Sequence, residues 1–562
     1  MEAVPFLYKI IKIRKIQLSD GCKRSKIAFI GKKVCTVSNN VIQSIEQNKL
    51  VRKGKRGILR IVFGRTMVIL VLLALQFVLM FMGLYHLFQY LPLLFGGVVT
   101  FTGVMLLYVL NTRDNPSVKL SWCIVISILP VFGALLYFFV RFDLGHRVVR
   151  RMVEKTVRES AAFLPAQPEL LTKASAEDKN LGNLAHYLKE NGNFSVYTNT
   201  RVTYFPLGER KFEEMCRQLE QAEKFIFMEY FSIGPGYMWD TLLDILSRKA
   251  AQGVEVRVMY DGMCAVANLP YNYPQALKML GIQSKMFSPV RPMVSTHYNN
   301  RDHRKILVID GRVAFTGGVN LEDRYINRET VYGHWKDTAV MLEGEAAQGF
   351  TMLFLQMWNY DEKEPVYVPY LALPQPSVPA PGYVIPYGDT PTDDEHVGEM
   401  VYLNILNQAK DYVYIMTPYL ILDNEMVTAL QFAARRGVDV RLILPHIPDK
   451  KYAFALARSH YAELIGAGVR IYEYTPGFVH AKVFLSDDLQ AVVGTINLDY
   501  RSLYLHFECA AYLYGVPALA DIRRDFQQTL EKSQCITMED VKKLPFFTKL
   551  SGKLLKVIAP LM

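Results

Sequence analysis

Apolar and polar positions change rhythm along this chain. Residues 66–110 carry no Asp, Glu, Lys or Arg over 45 positions. At about 1.5 Å of rise per residue, that run is too long for one membrane-spanning helix and suited to two. The stretch HLFQYLP (86–92) predicts the break, giving spans over 66–85 and 91–110. Residues 120–140, LSWCIVISILPVFGALLYFFV, form a third uncharged run of spanning length. Pro130 and Gly133 predict a kink inside it, which a membrane helix tolerates. The first run starts far from the amino terminus with no small-residue cleavage site after it, so no signal peptide is predicted.

From residue 183 onward the pattern becomes short strands, rich in aromatic and β-branched residues, alternating with helices. This part reads as a duplication. AEKFIFMEYF (222–231) aligns with AKDYVYIMTPYL (409–420). LLDILSRKAAQGVEVRVMYDG (242–262) aligns with MVTALQFAARRGVDVRLILP (426–445), each a helix stopped by Gly253 or Gly437 and followed by a strand. LGIQSKMF (280–287) aligns with AGVRIYEY (467–474). The βαβαβ order with short loops predicts an α/β fold: two halves, 183–362 and 383–562, related by a pseudo-twofold axis, with mixed sheets flanked by helices. The segment 363–382, with Pro365, Pro369, Pro374, Pro376, Pro379 and Pro381, reads as an extended linker.

Charge refines this picture. Residues 1–65 hold 16 Lys/Arg against Glu2, Asp20 and Glu46, a local +13. The remaining chain therefore carries about −2 of the total +11. The basicity belongs to a tail, expected to be disordered, and argues for membrane orientation and anionic lipid rather than nucleic acid. A second basic cluster (Arg141, Arg147, Arg150, Arg151, Lys155, Arg158) opens the connector 141–182. Three full spans cannot keep both clusters in the cytoplasm; either one run is re-entrant or the tail does not set topology. Charge counting places the catalytic part on the cytoplasmic side. The seven cysteines (22, 35, 123, 216, 264, 509, 535) show no CxxC spacing, which argues against a zinc site or a disulfide framework.

The chemistry sits in a repeated motif. HRKILVID (303–310) and HAKVFLSD (480–487) are two copies of His-x-Lys-x4-Asp, 177 residues apart. Each is followed, seven residues past its aspartate, by Gly-x-x-Asn: GGVN (317–320) and GTIN (494–497). Residues two apart on a strand share a face, so His303 lies beside Lys305 and His480 beside Lys482. Two facing imidazoles suit a two-step transfer on a phosphodiester. One attacks phosphorus; the other protonates the leaving alkoxide and then deprotonates the incoming hydroxyl. Lys305, Lys482, Asn320 and Asn497 can stabilise the non-bridging oxygens, so neither a metal nor a cofactor is needed. Asp337 in HWKD (334–337) and Glu508 in HFEC (506–509) are candidates to orient the histidines. Asp310 and Asp487, at strand ends before turns, read as loop-holding residues. His297, His334, His446, His460 and His506 read as structural or surface histidines, and the aromatic stripe 225–231 as core.

The paired HxKx4D and Gly-x-x-Asn motifs resemble the phospholipase D superfamily. NPSVKLSWCIVISILPVFGALLYFF (115–139), GGVNLEDRY (317–325) and GTINLDYRSLYLHFE (494–508) resemble its bacterial cardiolipin synthase branch. The resemblance spans roughly residues 60–562. It implies a metal-independent, multi-pass phosphatidyltransferase of the bacterial cell membrane that turns two phosphatidylglycerol molecules into cardiolipin and glycerol. It implies catalytic positions at His303, Lys305, Asp310, His480, Lys482 and Asp487, with His303 as nucleophile and His480 as acid/base. A phospholipase D-type hydrolase, or a transferase using another alcohol, would share the same core. One departure is His506, where the branch often has Asn. Oligomeric state is not legible.

Overall fold

The computed structural model describes residues 91–141, 144–164, 168–289, 300–372 and 378–561, with isolated positions between 71 and 78. The tail 1–65, most of the 66–85 run and part of the proline-rich linker lie outside the described residues. The chain divides into two compact units. One comprises Met1–Leu107, Val125–Phe142 and Val290–Thr296; the other comprises Tyr108–Ile124, Asp143–Pro289 and His297–Met562.

The second apolar run is one helix, Leu91–Leu110. The third is divided in two, Pro116–Ile128 and Pro130–Arg141. Pro130 has no amide hydrogen to continue the first helix, and its fixed φ suits the first position of the next. A side chain at Gly133 would lie 2.9 Å from the Ile126 backbone, so only glycine allows so close an approach. The single kinked span expected over 120–140 is therefore two shorter helices. Among the described residues, no helix is both long and apolar enough to cross a membrane.

The larger unit holds two sheets with the same strand order. The first runs Thr200–Phe205, Ala339–Gly344, Val313–Gly317, Lys305–Ile309, Phe225–Tyr230, Glu255–Asp261, Gln283–Phe287. The second runs Tyr383–Asp389, Glu508–Tyr514, Gln490–Gly494, Val483–Ser486, Tyr412–Met416, Asp439–Pro445, Arg470–Tyr474, and adds Ser533–Ile536 at its edge. Both are mixed: Phe225–Tyr230 pairs parallel with Glu255–Asp261 but antiparallel with Lys305–Ile309, and Tyr412–Met416 repeats the pattern. The central strands Phe225–Tyr230, Lys305–Ile309 and Tyr412–Met416 are buried on both faces, which explains their near-continuous apolar runs.

One apolar core joins the two sheets. Phe227, Ile306 and Val308 of the first share it with Met416, Val483 and Leu485 of the second. The helix Ala347–Asn359 lies in this core with eleven buried residues, including Phe350, Leu353, Phe354 and Trp358. A helix apolar on all sides is stable only when enclosed, and this one lets the two halves pack as one body.

Candidate active site

Each motif strand begins two or three residues past its histidine, so the imidazole sits at the strand mouth with the lysine at or just before the first strand residue. Lys305 opens Lys305–Ile309, and Lys482 directly precedes Val483–Ser486. Each histidine backbone is held by the opposite half. The His303 amide donates to the Phe507 carbonyl at 2.9 Å, and the Phe507 amide donates to the Arg301 carbonyl at 2.8 Å. The His480 amide donates to the Lys336 carbonyl at 2.7 Å, next to a parallel pairing of His334–Lys336 with Gly477–Val479. The residue after each foreign anchor is a carboxylate, and the crossing delivers it to the imidazole. Glu508 Oε1 lies 2.8 Å from His303 Nδ1, and Asp337 Oδ2 lies 2.7 Å from His480 Nδ1. Each half thus supplies the carboxylate for the other half's histidine.

The two carboxylates and Lys305 are fully buried and Lys482 nearly so, whereas each histidine keeps 8% exposure, so the imidazoles are the groups a substrate can reach. Lys305 Nζ donates to the His303 carbonyl at 2.5 Å. Lys482 Nζ donates to the His480 carbonyl and lies 2.9 Å from His480 Nδ1. Burial pushes the ammonium of Lys305 down to about 8 and that of Lys482 to about 7. Burial and then Lys482 push His480 down to about 3, with Asp337 opposing. Burial and then Lys305 hold His303 well below the usual imidazole value.

The two carboxylates differ. Burial works to raise Asp337, but His480 and Lys482 hold it below the ordinary carboxylate range. Burial drives Glu508 well above that range, with Lys305 opposing. Thr495 Oγ1 also donates to Glu508 Oε2.

The other expected residues lie as follows. Asn320 accepts from the Ser232 amide at 3.1 Å and donates to the Tyr325 hydroxyl at 2.8 Å. Asn497 donates to the Ser502 hydroxyl at 3.0 Å. Each amide group carries two hydrogens, so one remains on each for an anion. Asp310 and Asp487 stand at the ends of their strands away from the histidines, in the left-handed region at φ 53° and 55°. Asp310 accepts from the backbone amides of residues 223, 224 and 225 at 2.9, 2.7 and 2.9 Å. Asp487 accepts from those of 410, 411 and 412 at 2.9, 2.9 and 2.8 Å. Both oxygens of each carboxylate accept from the loop that enters the neighbouring strand, a turn-holding geometry.

Several site residues were not singled out by sequence. His506 lies partly buried beside His303, with ring centroids 5.5 Å apart, and neither ring nitrogen has a hydrogen-bond partner. The reading of His506 as a structural or surface histidine misses this placement. Phe231, the last residue of the aromatic stripe, packs edge-on to His303 at 5.0 Å, while Phe225 and Phe227 lie in the core. Trp335 and Tyr325 flank His480 at 5.3 and 5.4 Å. His334, His446 and His460 bond to Tyr474, Glu473 and Glu463 respectively; His297 lies outside the described residues.

His303, His506 and Glu508 offer ligand atoms within 4.8 Å of one another, a spacing a metal could use. Burial first, then Arg501, Lys305, Arg301 and Lys450, lower the proton affinity of His506, while the Glu508 carboxylate lies 3.8 Å from its Nδ1. Four cations around one carboxylate weigh toward an anion at that point.

A family model described as cardiolipin synthase, PLD-like domain, matches residues 215–358 and 402–530, and a phospholipase D-nuclease N-terminal model matches 101–141. The chain is 33% identical to a cardiolipin synthase of Alkalihalophilus pseudofirmus over 480 residues, 84% of this chain and 94% of that one. It is 34% identical to cardiolipin synthase 2 of Bacillus anthracis, covering 80% of this chain and 87% of that one. It is 53% identical to an uncharacterised Streptococcus mutans protein over 456 residues, 81% of this chain and 99% of that one. Among solved structures, the phosphatidylserine synthase of Haemophilus influenzae has a TM-score of 0.50 at 14% identity, covering 64% of this chain and 93% of that one, a likeness of fold.

Proposed function

The chain belongs to the cardiolipin synthase family of the phospholipase D superfamily and is a phosphatidyltransferase; from that premise we propose that it joins two phosphatidylglycerol molecules into cardiolipin and glycerol through a phosphatidyl-histidine. The observation that carries the reading is the crosswise pair of His–carboxylate contacts, His303–Glu508 and His480–Asp337.

The His303–Glu508 pair gives up one proton, which His480 takes up beside ionised Asp337, and His303 Nε2 attacks the phosphorus of the first phosphatidylglycerol. The P–O bond to its headgroup glycerol breaks, and the alkoxide takes a proton from His480. Glycerol leaves, and the free hydroxyl of a second phosphatidylglycerol takes its place. His480, now neutral, accepts that hydroxyl's proton. The oxygen attacks phosphorus, the P–N bond breaks, cardiolipin is released and His303 is restored. Lys305 and Lys482 recover full charge when the phosphate enters and neutralise its non-bridging oxygens, with the free amide hydrogens of Asn320 and Asn497 assisting. No step calls for a metal ion.

His303 is the nucleophile in this scheme because burial, and then Lys305, His506, Lys482 and His480, disfavour its protonated form. His480 is the acid/base because ionised Asp337 supports the imidazolium that a proton carrier must become. Phosphatidylglycerol stays in its bilayer, so the site must work at headgroup level. The apolar runs 66–85, 91–110 and 120–140 would anchor the chain in a bacterial cell membrane, with the 183–362 and 383–562 halves facing the cytoplasm.

The test is lipid chromatography after incubating the full-length protein with pure phosphatidylglycerol vesicles, EDTA and no added alcohol. Cardiolipin with free glycerol is expected. Phosphatidic acid with glycerol would make water the acceptor and the chain a hydrolase.

A further inference from the structure

The chain's last long helix, Phe546–Ile558, turns its apolar residues outward. Wound at about 100° per residue, Phe546, Phe547, Leu550, Leu554, Val557 and Ile558 fall within one sector of about 120°. That sector faces solvent: Phe546 is 70% exposed, Phe547 80% and Leu554 62%. The opposite face is occupied. A side chain at Gly552 would meet the Ala455 carbonyl oxygen at 2.6 Å, so the helix crosses Lys451–Gly466 at close range. Lys549, Lys553 and Lys556 form a row along one border of the apolar sector. Lys549 Nζ donates to the Lys542 carbonyl at 2.6 Å, and Lys556 pairs with Glu463 at 2.8 Å, which holds that border in place.

Its position is also informative. Leu555 and Ala559 pack with Leu456, Tyr500 and Tyr504, on the short helix that follows Asn497. The Ser121 hydroxyl donates to the Val557 carbonyl at 2.6 Å, tying the helix to the start of the third apolar run. The helix is therefore fixed, by the faces that pack, to Ser121 and to the short helix that follows Asn497. An outward apolar sector bordered by lysines, on a helix fixed by its third face, matches an anionic lipid surface in both polarity and charge.

We propose that Phe546–Ile558 is an interfacial helix that seats the catalytic unit on an anionic bilayer. Its apolar sector enters the acyl boundary, and Lys549, Lys553 and Lys556 meet lipid phosphates. Its value to catalysis rests on the phosphatidylglycerol reading above; its binding does not.

The test uses the full-length protein in bilayers of phosphatidylserine, an anionic lipid that is not the proposed substrate, with brominated acyl chains. Phe547→Trp is compared with the parent, whose four tryptophans give the background. The added indole is expected to be blue-shifted and quenched just below headgroup depth. Phe547→Glu with Leu554→Glu is expected to cut activity on phosphatidylglycerol bilayers about tenfold or more, the loss of roughly one buried aromatic side chain. Activity on short-chain phosphatidylglycerol micelles should stay within about twofold, since no reacting group is changed. A water-like, unquenched indole would overturn the proposal, as would protection that depends on protein concentration, which would make this face a contact between copies. Quenching without turnover on any phosphatidylglycerol would uphold the helix's role and defeat only the reaction assigned to the site.

Discussion

The two histidine–carboxylate pairs have nearly the same geometry and opposite electrical states. Nδ1 meets a carboxylate oxygen at 2.8 Å in one and 2.7 Å in the other. Yet Asp337 is pulled toward its ionised form by His480 and Lys482, and Glu508 is pushed toward its protonated form by burial. A protonated Glu508 donates to Nδ1 and leaves the hydrogen of His303 on Nε2, where it blocks attack. The His303–Glu508 pair must shed one proton before Nε2 has a free lone pair. The His480–Asp337 pair needs no such step, and can carry a proton to and fro. The sequence duplication thus does not make two equal sites. Similar distances serve different roles because the surroundings of the two carboxylates differ.

The largest expected effect separates the two histidines. His303→Ala removes the covalent route and should lower kcat on the order of 10⁶-fold, whatever the leaving group. His480→Ala should cost about 10²–10⁴-fold on phosphatidylglycerol. Most of that loss should vanish from the first-turnover burst with phosphatidyl-p-nitrophenol, whose leaving group needs no proton, while steady turnover stays slow for want of a base in the second step. Rescue of the His303 variant instead would reverse the roles. Spectrophotometric release of nitrophenol reads both.

Next come the carboxylates. Asp337→Asn should lower kcat on the order of 10³-fold, because an amide cannot support an imidazolium on His480. Glu508→Gln should cost at least tenfold less, while flattening the acid limb of the pH profile. Equal losses would mean that the electrical difference has no consequence for turnover.

The pH profile of kcat/KM gives a smaller, two-sided signal. Glu508 has a raised proton affinity, so the attack-competent fraction should grow as pH rises. Lys482 and Lys305, lowered to about 7 and about 8, lose charge as pH rises further, so the phosphate clamp weakens. A bell with its alkaline fall between these values is expected in initial rates on mixed micelles. A profile still rising at pH 9 would contradict the lysine assignment.

The smallest effect on catalysis belongs to the turn aspartates. Asp310→Ala or Asp487→Ala removes three backbone contacts and a residue that tolerates the left-handed region, at a cost of about 2–3 kcal/mol of stability. kcat should stay within about threefold for protein kept folded. A shift in denaturant midpoint without a large drop in kcat would support this; the reverse pattern would restore them as catalytic residues.

How much of this was legible in the sequence depended on range. The paired motifs, the glycine stops at Gly253 and Gly437 and the mixed strands were readable because each is a local pattern repeated. The place of Asp310 and Asp487 at strand ends was readable from Asp310-Gly311 and Asp487-Asp488. The crosswise delivery of Glu508 and Asp337 was not, because it depends on backbone pairing between residues more than a hundred positions apart. His506, Phe231, Tyr325 and Trp335 enter the site by the same long-range packing, and nothing in their neighbours' spacing marks them. The strand Ser533–Ile536, SQCI, lacked a periodic signal, and Pro130 divided a run whose hydropathy alone reads as continuous.

The most direct test is to trap the covalent state. The full-length His480→Ala protein is mixed with phosphatidyl-p-nitrophenol, so that the first step proceeds and the second lacks its base. It is then quenched in alkali, digested and read by mass spectrometry. The account predicts an acid-labile phosphatidyl adduct on His303 and none in the His303→Ala protein treated alike. An adduct on His480 in the His303→Ala protein, or no adduct from a protein that still turns over, would contradict it.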